Sequence, residues 1–442
     1  MKKKFIYLLT ICITTISYAT TLPEAISLAN SAPLLKSKEA KALSYKKLYE
    51  AQQSLDYPSL DLSYGGTYLK EKPVIYMNSS FAGLPSNLPP MQIQSQNQYQ
   101  GTLKLTYPLF SGFAISSMID KAKYEAKKVA LEADDTKRNL YLGVVELYAA
   151  SVSLKELIIS ERRAYDATKK SFDKAKAFFD LGLISRSELY RLDATLQSIK
   201  SRLIATKNSY KITLSRLSAL VGSEITDISS LPMPQENSLE ELSKEALAKR
   251  PDLLALKMML QEQMTKIKLA KSGYYPNVAL FAQASQIGDS TALNGDGFTN
   301  KDRSAAGFVI NYNIFNGLGT TRELEAAKAA KLSVQEMLYS YKDKIKSEIE
   351  QSYLDFRSLQ SQDKATEVQL KSQNAYEALV LGEFDNQLAD ADKLARAIAS
   401  SAMARAALIS IKAKLYTAYA KMLLEVDSEH FLRTLHLQKG KR

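Results

Sequence analysis

The chain has 442 residues, of which 59 are lysine or arginine and 47 are aspartate or glutamate, so its formal net charge is +12. This length allows two or three ordinary domains, and the basic residues are dispersed among acidic ones, which favours a solvated helix surface over a nucleic-acid-binding patch. The single cysteine, Cys12, lies in an apolar N-terminal run, so a mature chain without that run has no disulfide, thiolate nucleophile or cysteine zinc site.

Residues 1–19 are typical of a secretory signal peptide. Three lysines precede an apolar run that extends to Ile16, and a small-residue cleavage site ends at Ala19. The run is too short and wrongly flanked to be a retained transmembrane helix. A lipid anchor at Cys12 is less favoured, because the apolar run continues beyond the cysteine.

The first structural repeat, residues 20–222, changes from helical periodicity to alternation and back. Leu60, Leu62 and Tyr64 alternate with polar residues, and the same period of two returns around Leu105. Long proline-free stretches rich in alanine, leucine, lysine and glutamate follow, and this composition favours helices. The pattern predicts strands at about 57–69 and 99–110 and long helices at about 113–179 and 185–220.

A proline-containing linker, 223–237, separates this half from a second structural repeat at 238–425. The second half predicts the same elements in the same order, with strands at about 276–287 and 304–315 and long helices at about 319–381 and 386–424. Residues 426–442 are predicted to form a C-terminal tail.

The two halves share sequence as well as pattern. Tyr57-Pro58 returns as Tyr275-Pro276, and Phe110-Ser111-Gly112 returns as Phe315-Asn316-Gly317. A repeat of roughly 200 residues is too long for a solenoid unit, so it indicates duplication of a whole half-protein. The predicted corners next to the strands contain Pro58, Pro108, Gly112, Pro276 and Gly317.

The four strands are each about ten residues long, which is the length that a tilted strand needs to cross a bilayer. Alternation alone equally suits a soluble sandwich, but polar connections and tyrosines near the strand ends favour a membrane. The predicted aromatic belt consists of Tyr64, Tyr68, Tyr99, Tyr107 and Tyr312. Four strands cannot close a barrel, so strands in lipid need further copies of the chain to remove their edges.

Each long helix is predicted to end at a hairpin glycine, Gly182 in the first half and Gly382 in the second. The glycine is expected to adopt the left-handed conformation, and Ser185 or Asp385 to cap the returning helix. An isolated helix is only marginally stable, so the apolar stripe of each long helix must pack on neighbouring helices.

A short segment that opens the second half adds a specific motif: Arg250, Pro251, Asp252 and Leu253. Its proline suits the first turn of a helix, and its aspartate suits the helix dipole. Together with the Tyr-Pro-Asn segment, the two corners and the two hairpins, this motif makes the chain resemble the TolC-like outer-membrane efflux proteins. The resemblance covers essentially the whole mature chain, including its duplication.

The resemblance implies a mixed α/β membrane protein, namely a homotrimer with a 12-stranded β-barrel continued by an α-helical tunnel. Such a trimer lies in the outer membrane of a Gram-negative bacterium, with a large periplasmic portion. Its implied partners are a periplasmic adaptor protein, an inner-membrane transporter and outer-membrane lipid, without nucleic acid or cofactor. The implied function is passive conduction in a tripartite efflux or type I secretion system, not catalysis.

The resemblance also implies a periplasmic gate at the hairpins, where family members often carry acidic residues six or nine positions after the glycine. Glu188 fits this spacing, whereas the second-half positions are Leu388 and Ala391. Three copies of an inward carboxylate would attract cations; the alternative is a set of solvent-facing acids at a helix start. The candidate gate residues are the acids and two possible arginine partners: Asp385, Asp390, Asp392, Glu188, Arg186 and Arg191.

Other functions are less well supported. The two histidines, His430 and His436, lie near the C-terminus, and the glycines form no phosphate-binding run, which disfavours an enzyme or a metal site. A secreted coiled-coil scaffold stays open as an alternative, which strict heptads would favour. The cargo is also open among drugs, secreted proteins and metal ions, because Asp61, Lys104 and Gln283 in the predicted lumen have mixed charge.

Overall fold

A computed structural model describes residues 19–76, 89–231, 234, 238–293 and 302–439. Most of the predicted signal peptide, with Cys12, therefore lies outside the described residues. Parts of the linker, the last three residues of the predicted tail and the side chain of His436 also lie outside them.

The described residues form helices and strands in the predicted order. The helices are α1 Leu22–Ala29, α2 Pro33–Gln53, α3 Ala114–Asp180, α4 Arg186–Val221, α5 Leu239–Lys249, α6 Pro251–Lys271, α7 Gly319–Asp385, α8 Ala391–Leu424 and α9 Ser428–Lys439. The strands are β1 Ser59–Tyr68, β2 Val74–Ile75, β3 Met91–Gln92, β4 Asn97–Phe110, β5 Asn277–Gly288 and β6 Asp302–Asn311.

The duplication is present in the long helices and in the register of the strand pairs. Helices α3 and α7 each contain 67 residues. The strand pairs also have the same register, because Ser59 lies opposite Thr106 in β1–β4 and Asn277 lies opposite Asn311 in β5–β6. This confirms the prediction of two repeated halves.

The chain forms two compact units. The sheet unit comprises Ala42–Val129 and Ala255–Leu338. It contains an antiparallel sheet in the order β1-β4-β5-β6, in which β1 and β6 are the outer strands. A separate two-stranded pair, β2–β3, lies in the connection from β1 to β4.

The helix unit comprises the residues up to Lys41, Ala130–Leu254, and Tyr339 onwards. Its core contains the fully buried rings of Tyr148 and Tyr416. In the part of the chain that the structure describes, α8 is the one helix long and apolar enough to cross a membrane by composition. Its buried residues, which include Leu394, Ile398 and Leu423, pack inside the helix unit.

Two predicted boundaries are wrong. The predicted C-terminal tail contains α9, because Phe431 and Leu435 are buried and the Asp427 side chain accepts a hydrogen bond from the backbone of His430 at 2.7 Å. The fourth strand was expected to reach residue 315, but β6 ends at Asn311. The corresponding end of β4 is paired with β5, so the difference between the two strands is the presence of a partner.

Candidate functional site

One face of the sheet is apolar across all four strands. Leu60, Leu105, Ala282 and Ala306 lie side by side in successive strands. The leucines of this face are exposed, and Leu62 reaches 79%. Alternation of side chains across the pleat explains why they share one face. An exposed apolar face of this kind indicates contact with lipid or with another protein.

The opposite face of the sheet is polar. Asp61, Lys104 and Gln283 lie side by side in β1, β4 and β5. Nearby, the hydroxyl groups of Thr102 and Ser285 are hydrogen-bonded at 3.0 Å across β4 and β5. The predicted lumen residues therefore lie together on the face that suits water.

The five tyrosines of the predicted belt lie near both ends of the strands. Tyr64 and Tyr99 stack with ring centroids 6.5 Å apart, and Tyr68 ends β1 at the same edge. Tyr107 lies near the opposite end of β4, and Tyr312 directly follows β6. Aromatic residues at both ends of an apolar face match the two interfaces of a bilayer.

Prolines occupy three of the strand ends or bends. Pro58 follows the 3₁₀ turn Ser54–Asp56 and Pro276 follows the equivalent turn Ser272–Tyr274, each directly before a strand. Pro108 lies inside β4, next to the irregularity in its pairing with β5. Proline cannot donate a ladder hydrogen bond, so its place beside a bulge is the expected one.

The corners between the strands and the long helices have the same unusual backbone in both halves. Gly112 and Phe113 have φ of 60° and 69°, and Gly317 and Leu318 have φ of 66° and 68°. A Cβ atom added at Gly112 would lie 2.8 Å from the backbone oxygen of Ser272. Glycine is therefore required there by its positive φ and by close backbone approach.

The first hairpin has the predicted glycine cap. Gly182 has φ of 75°, and its amide and that of Leu183 donate to carbonyls in the last turn of α3. The Ser185 hydroxyl caps α4 by accepting a hydrogen bond from the Glu188 amide at 3.3 Å. The Arg186 guanidinium lies 5.7 Å from the centre of an aromatic ring in the last turn of α3. Glu188 and Arg186 are thus parts of this turn.

The prediction for the second hairpin is wrong by five residues. Gly382 lies inside α7, and Gln387 has the left-handed conformation, with φ of 62°. Asp385 is the last residue of α7 and does not cap the next helix; Asp390 does, by accepting a backbone hydrogen bond at 2.7 Å. The physical reason is the equal length of the two long helices, which places Gln387, not Gly382, at the position of Gly182.

Two candidate gate aspartates join the hairpins of the two halves. Asp385 is paired with Lys174 of α3 at 2.7 Å. Asp392 contacts Arg191 of α4 and Arg396 of α8. The structure therefore brings Arg191 and Asp392 together, whereas Asp390 is used as a helix cap. Because these pairs are partly exposed, each contributes only about 0–1 kcal/mol.

An apolar cluster beneath these pairs holds the same two hairpins more strongly. Leu192 and Ile199 of α4 pack with Phe384 of α7 and with Leu394 and Ile398 of α8. A buried side chain of this size contributes about 1.5–3 kcal/mol. Apolar packing, and not the ion pairs, is therefore the main attraction between the hairpins of one chain.

The four-residue motif opens α6 as expected. Pro251 is the first residue of the helix, and Asp252 lies in its first turn. Leu253 is fully buried. Arg250, directly before the helix, is also buried, and its Nε lies 3.0 Å from both carboxylate oxygens of Asp252.

Arg250 is the centre of a buried ionic cluster within the helix unit. Its Nη1 lies 2.8 Å from Glu425 and its Nη2 lies 2.7 Å from Glu348. Arg138 lies on the other side, with Nη2 3.6 Å from Asp252 and Nη1 3.5 Å from Glu425. Burial lowers the pKa of Arg250, but Asp252 and Glu425 outweigh it, so the pKa is raised above its ordinary value. Arg138 and Glu425 were not predicted from the sequence, because both are distant from the motif along the chain.

A duplicated pair of strands followed by a helical hairpin, with an amphipathic sheet, defines the fold class of the outer-membrane efflux channels. The chain belongs to the outer membrane efflux protein family, whose model matches residues 26–223 and 242–423. This confirms the resemblance found in the sequence and the predicted outer-membrane location. The family and its fold are those of channels, not of enzymes.

Relatives and solved structures are consistent with this assignment. The fusaric acid resistance protein FusA of Burkholderia cepacia is 24% identical over 243 residues, which are 52% of this chain and 44% of FusA. The chain thus spans about half the length of the curated relatives it matches first. VceC of Vibrio cholerae has a TM-score of 0.77 at 15% identity over 92% of this chain and 96% of its own. The CmeC channel of Campylobacter jejuni has a TM-score of 0.76 at 15% identity, covering 94% of this chain and 89% of CmeC.

Proposed function

We propose that the protein is the outer-membrane exit duct of a tripartite efflux or type I secretion system. In this proposal three copies form a 12-stranded β-barrel that is continued by an α-helical tunnel through the periplasm. The duct conducts passively, and an inner-membrane transporter and a periplasmic adaptor supply the cargo and the opening force. The observation that carries the proposal is an amphipathic sheet with two outer strands in a chain of the efflux family.

The dimensions of the sheet support membrane insertion. Tyr68 lies opposite Asn97, which is ten residues before Tyr107 on β4. Ten residues of strand extend about 33 Å, and at a barrel tilt of about 40° they project about 25 Å on the membrane normal, which is the height of an outer-membrane apolar band. The family match also favours this channel over a secreted coiled-coil scaffold.

The hairpins support a gate at the periplasmic end. We propose that Asp392, with Arg191, lies at the closed opening and that this ion pair helps to hold the opening closed. Opening follows when an adaptor binds the open arrangement of the helices more tightly than the closed one. Because the apolar cluster holds the hairpins of each chain together, the binding energy of the adaptor must exceed a cost of several kcal/mol.

The cargo that the relatives favour is a small toxic organic compound. FusA is named for resistance to fusaric acid, and MdtP of Shigella flexneri, 25% identical over 202 residues, is named for multidrug resistance. The polar sheet face, with its mixed charges, suits a water-filled duct without strong preference.

Three measurements test the proposal in order. Membranes of cells expressing the chain should release it only with detergent, and the purified protein should have the mass of three chains. Planar bilayers containing it should then show small currents, as expected of a channel that is mostly closed without its adaptor. Finally, deletion of the gene should increase susceptibility to several unrelated antimicrobial compounds, and the full-length gene should restore resistance. A monomer that is soluble in plain buffer contradicts the proposal at the first step.

A further inference from the structure

We infer that β6 of one copy pairs with β1 of a second copy in one defined register, with Asn311 opposite Ser63 of the second copy. The inference rests on the proposed trimer and adds what the proposal does not contain, namely which residues meet at the junction. It follows from a junction of the same kind that already exists inside a single chain.

The two hairpins of strands are equivalent units. Strand β1 and its preceding 3₁₀ turn, Ser54–Asp56, recur 218 positions later as β5 and Ser272–Tyr274. Strand β4 begins at Asn97 and β6 begins at Asp302, which is 205 positions later (302 − 97). The registers inside the hairpins also correspond, since Ser59 and Thr106 shifted by these intervals give Asn277 and Asn311, which are paired.

The junction of β4 with β5 joins one unit to the next. In it Thr106 lies opposite Phe281, and Leu105 lies opposite Ala282. If a second copy continues the sheet by the same step, β6 takes the place of β4, and β1 of the second copy takes the place of β5. Adding 205 to the β4 residue and subtracting 218 from the β5 residue gives the register directly. The resulting pairs are Asn311 with Ser63, Ile310 with Tyr64, Val309 with Gly65, Phe308 with Gly66 and Gly307 with Thr67.

The end of β6 provides an independent indication. Residues 107–110 are part of β4 and pair with β5, whereas the equivalent residues 312–315 have no strand structure. Ile314 and Phe315 are 87% and 76% exposed. A partner in the place of β5 would supply the missing ladder and extend β6 to residue 315. The early end of β6 is thus the expected state of an edge without its second copy.

The strand-to-helix corners at Gly112 and Gly317 also indicate that a second copy lies beside β6. In the first half the rings of Phe110, Phe113 and Tyr275 pack edge to face, with centroids 5.4–6.4 Å apart. A Cβ atom on Gly112 would lie 2.7 Å from the Cβ atom of Tyr275 and 2.8 Å from the backbone oxygen of Ser272. Strand β5 and its turn therefore fill this corner completely.

The second corner is empty in the single chain. Among the described residues, no heavy atom lies within 4 Å of a Cβ atom added at Gly317. The residues equivalent to Tyr275 and Ser272 are Tyr57 and Ser54, and Tyr57 is 70% exposed whereas Tyr275 is 45% exposed. Tyr57 of the second copy therefore fits against Phe315 as Tyr275 fits against Phe110.

The predicted register also places a side chain over an exposed glycine of the edge strand β1. Strand β1 has two adjacent glycines: the Tyr99 ring of the same chain lies against Gly66, whereas within the described ranges nothing lies within 4 Å of a Cβ atom added at Gly65. Glycine weakens a strand unless a neighbouring side chain packs over it. The register places Val309 of another copy opposite Gly65. A cross-strand side chain at this position compensates for the edge glycine.

Disulfide trapping in the full trimer tests the register. The variant Ser63→Cys with Asn311→Cys should form intermolecular disulfides on mild oxidation, because the Cβ atoms of directly opposed residues lie about 4.5–5.5 Å apart, close to the separation of about 4 Å that a disulfide needs. It should then migrate as a covalent trimer in denaturing gels without reductant. Thr67→Cys with Gly307→Cys is a second pair in the same register, and guards against a folding defect in the first.

Two controls accompany these variants. Thr106→Cys with Phe281→Cys is the equivalent pair inside one chain, and should give an oxidised monomer. Ser63→Cys with Val309→Cys is displaced by two residues, and should remain mostly monomeric. Single-cysteine variants should not link, which shows that Cys12 does not contribute.

Each outcome is decisive. If the displaced pair links as efficiently as the Ser63–Asn311 and Thr67–Gly307 pairs, or if both of those fail to link in a protein with the mass of three chains, the register is overturned and the proposed trimer stands. If the unmodified protein in detergent has the mass of one chain, the register and the proposed function are overturned together.

Discussion

Replacement of Arg250 by alanine tests whether the buried ionic cluster stabilises the helix unit. The Arg250 side chain is 5% exposed and contacts Asp252, Glu425 and Glu348 at 2.7–3.0 Å. Its removal leaves buried carboxylates without their main counter-charge, and breaking a buried ion pair in this way costs about 3–5 kcal/mol. Arg138 lies 3.5 Å from Glu425 and retains part of the attraction, so we expect the lower end of that range.

The expected effect is measured as a shift of the melting temperature. For a unit of about 250 residues, 1 kcal/mol corresponds to about 2 °C, so Arg250→Ala should melt about 6 °C lower when helix content is followed by circular dichroism in detergent. Arg250→Lys keeps the charge but lacks the planar fork of donors, and should lie between the alanine variant and the unmodified protein.

The control is Arg162→Ala. Arg162 is also on a long helix and also has an acidic partner, Asp166, at 3.8 Å, but its side chain is 65% exposed. An exposed substitution of this kind changes stability by no more than about 0.5 kcal/mol. If Arg250→Ala and Arg162→Ala melt within about 2 °C of each other, which corresponds to about 1 kcal/mol, the buried cluster does not stabilise the helix unit as expected.

Three further predictions concern the hairpins and Asp227, which lies in the linker between the two halves. Asp392→Asn should increase single-channel current in planar bilayers, because it removes the charge that pairs with Arg191, whereas Asp390→Asn should change the current little, because asparagine still caps a helix; equal currents in the two variants would contradict the different roles of the two aspartates. Gln387→Gly should raise the free energy of unfolding by about 1 kcal/mol, because glycine relieves the positive φ, and Gly182→Gln should lower it by a comparable amount. Both changes are measured as shifts of the melting temperature. Burial raises the pKa of Asp227, but a lysine and a tyrosine outweigh it and hold the pKa below its ordinary value of 3.8. The ionised carboxylate therefore stabilises the fold above that pH and stops doing so as the pH falls through the lowered value, so Asp227→Asn should reduce the loss of melting temperature below about pH 4.

The strands and long helices were predictable because their signals are local. Alternation and helix composition are properties of neighbouring residues, and the similar Tyr-Pro and Phe-x-Gly segments indicated the duplication without any structure. The side-chain faces of the sheet followed from alternation alone, and Asp61 and Lys104 lie side by side on the polar face.

The boundaries that failed depend on information from outside the local segment. The end of β4 pairs with β5, whereas β6 ends at Asn311, and the sequence of residues 312–315 does not reveal whether a partner strand is present. In the second hairpin a glycine suggested a cap, but Gly382 is tolerated inside a packed helix and Gln387 takes the strained position. A count of 205 residues from Gly182 would have identified Gln387, so this signal was present in the sequence.

The buried cluster could not be predicted for a different reason. The motif gave Arg250 and Asp252, which contact each other over two positions. Arg138 and Glu425 come from other helices, and their contacts depend on how those helices pack. Charged residues on long helices are usually solvated, so nothing in their local sequence distinguishes them from exposed neighbours.

The equal length of α3 and α7, 67 residues each, restricts how this protein can evolve. Deleting one residue from either helix would rotate everything beyond the gap by about 100° and shift it by about 1.5 Å, which would turn Phe384 or Lys174 away from its neighbours. Substitutions on exposed faces carry no such penalty. Insertions and deletions are therefore expected to survive only in steps of about seven or eleven residues, because these lengths nearly complete whole turns and return each side chain to the same side of the helix. They are also expected to occur in both helices together. Among descendants of the duplicated ancestor, the length of these helices should then vary in discrete steps, whereas the residues on their exposed faces should vary without such a restriction.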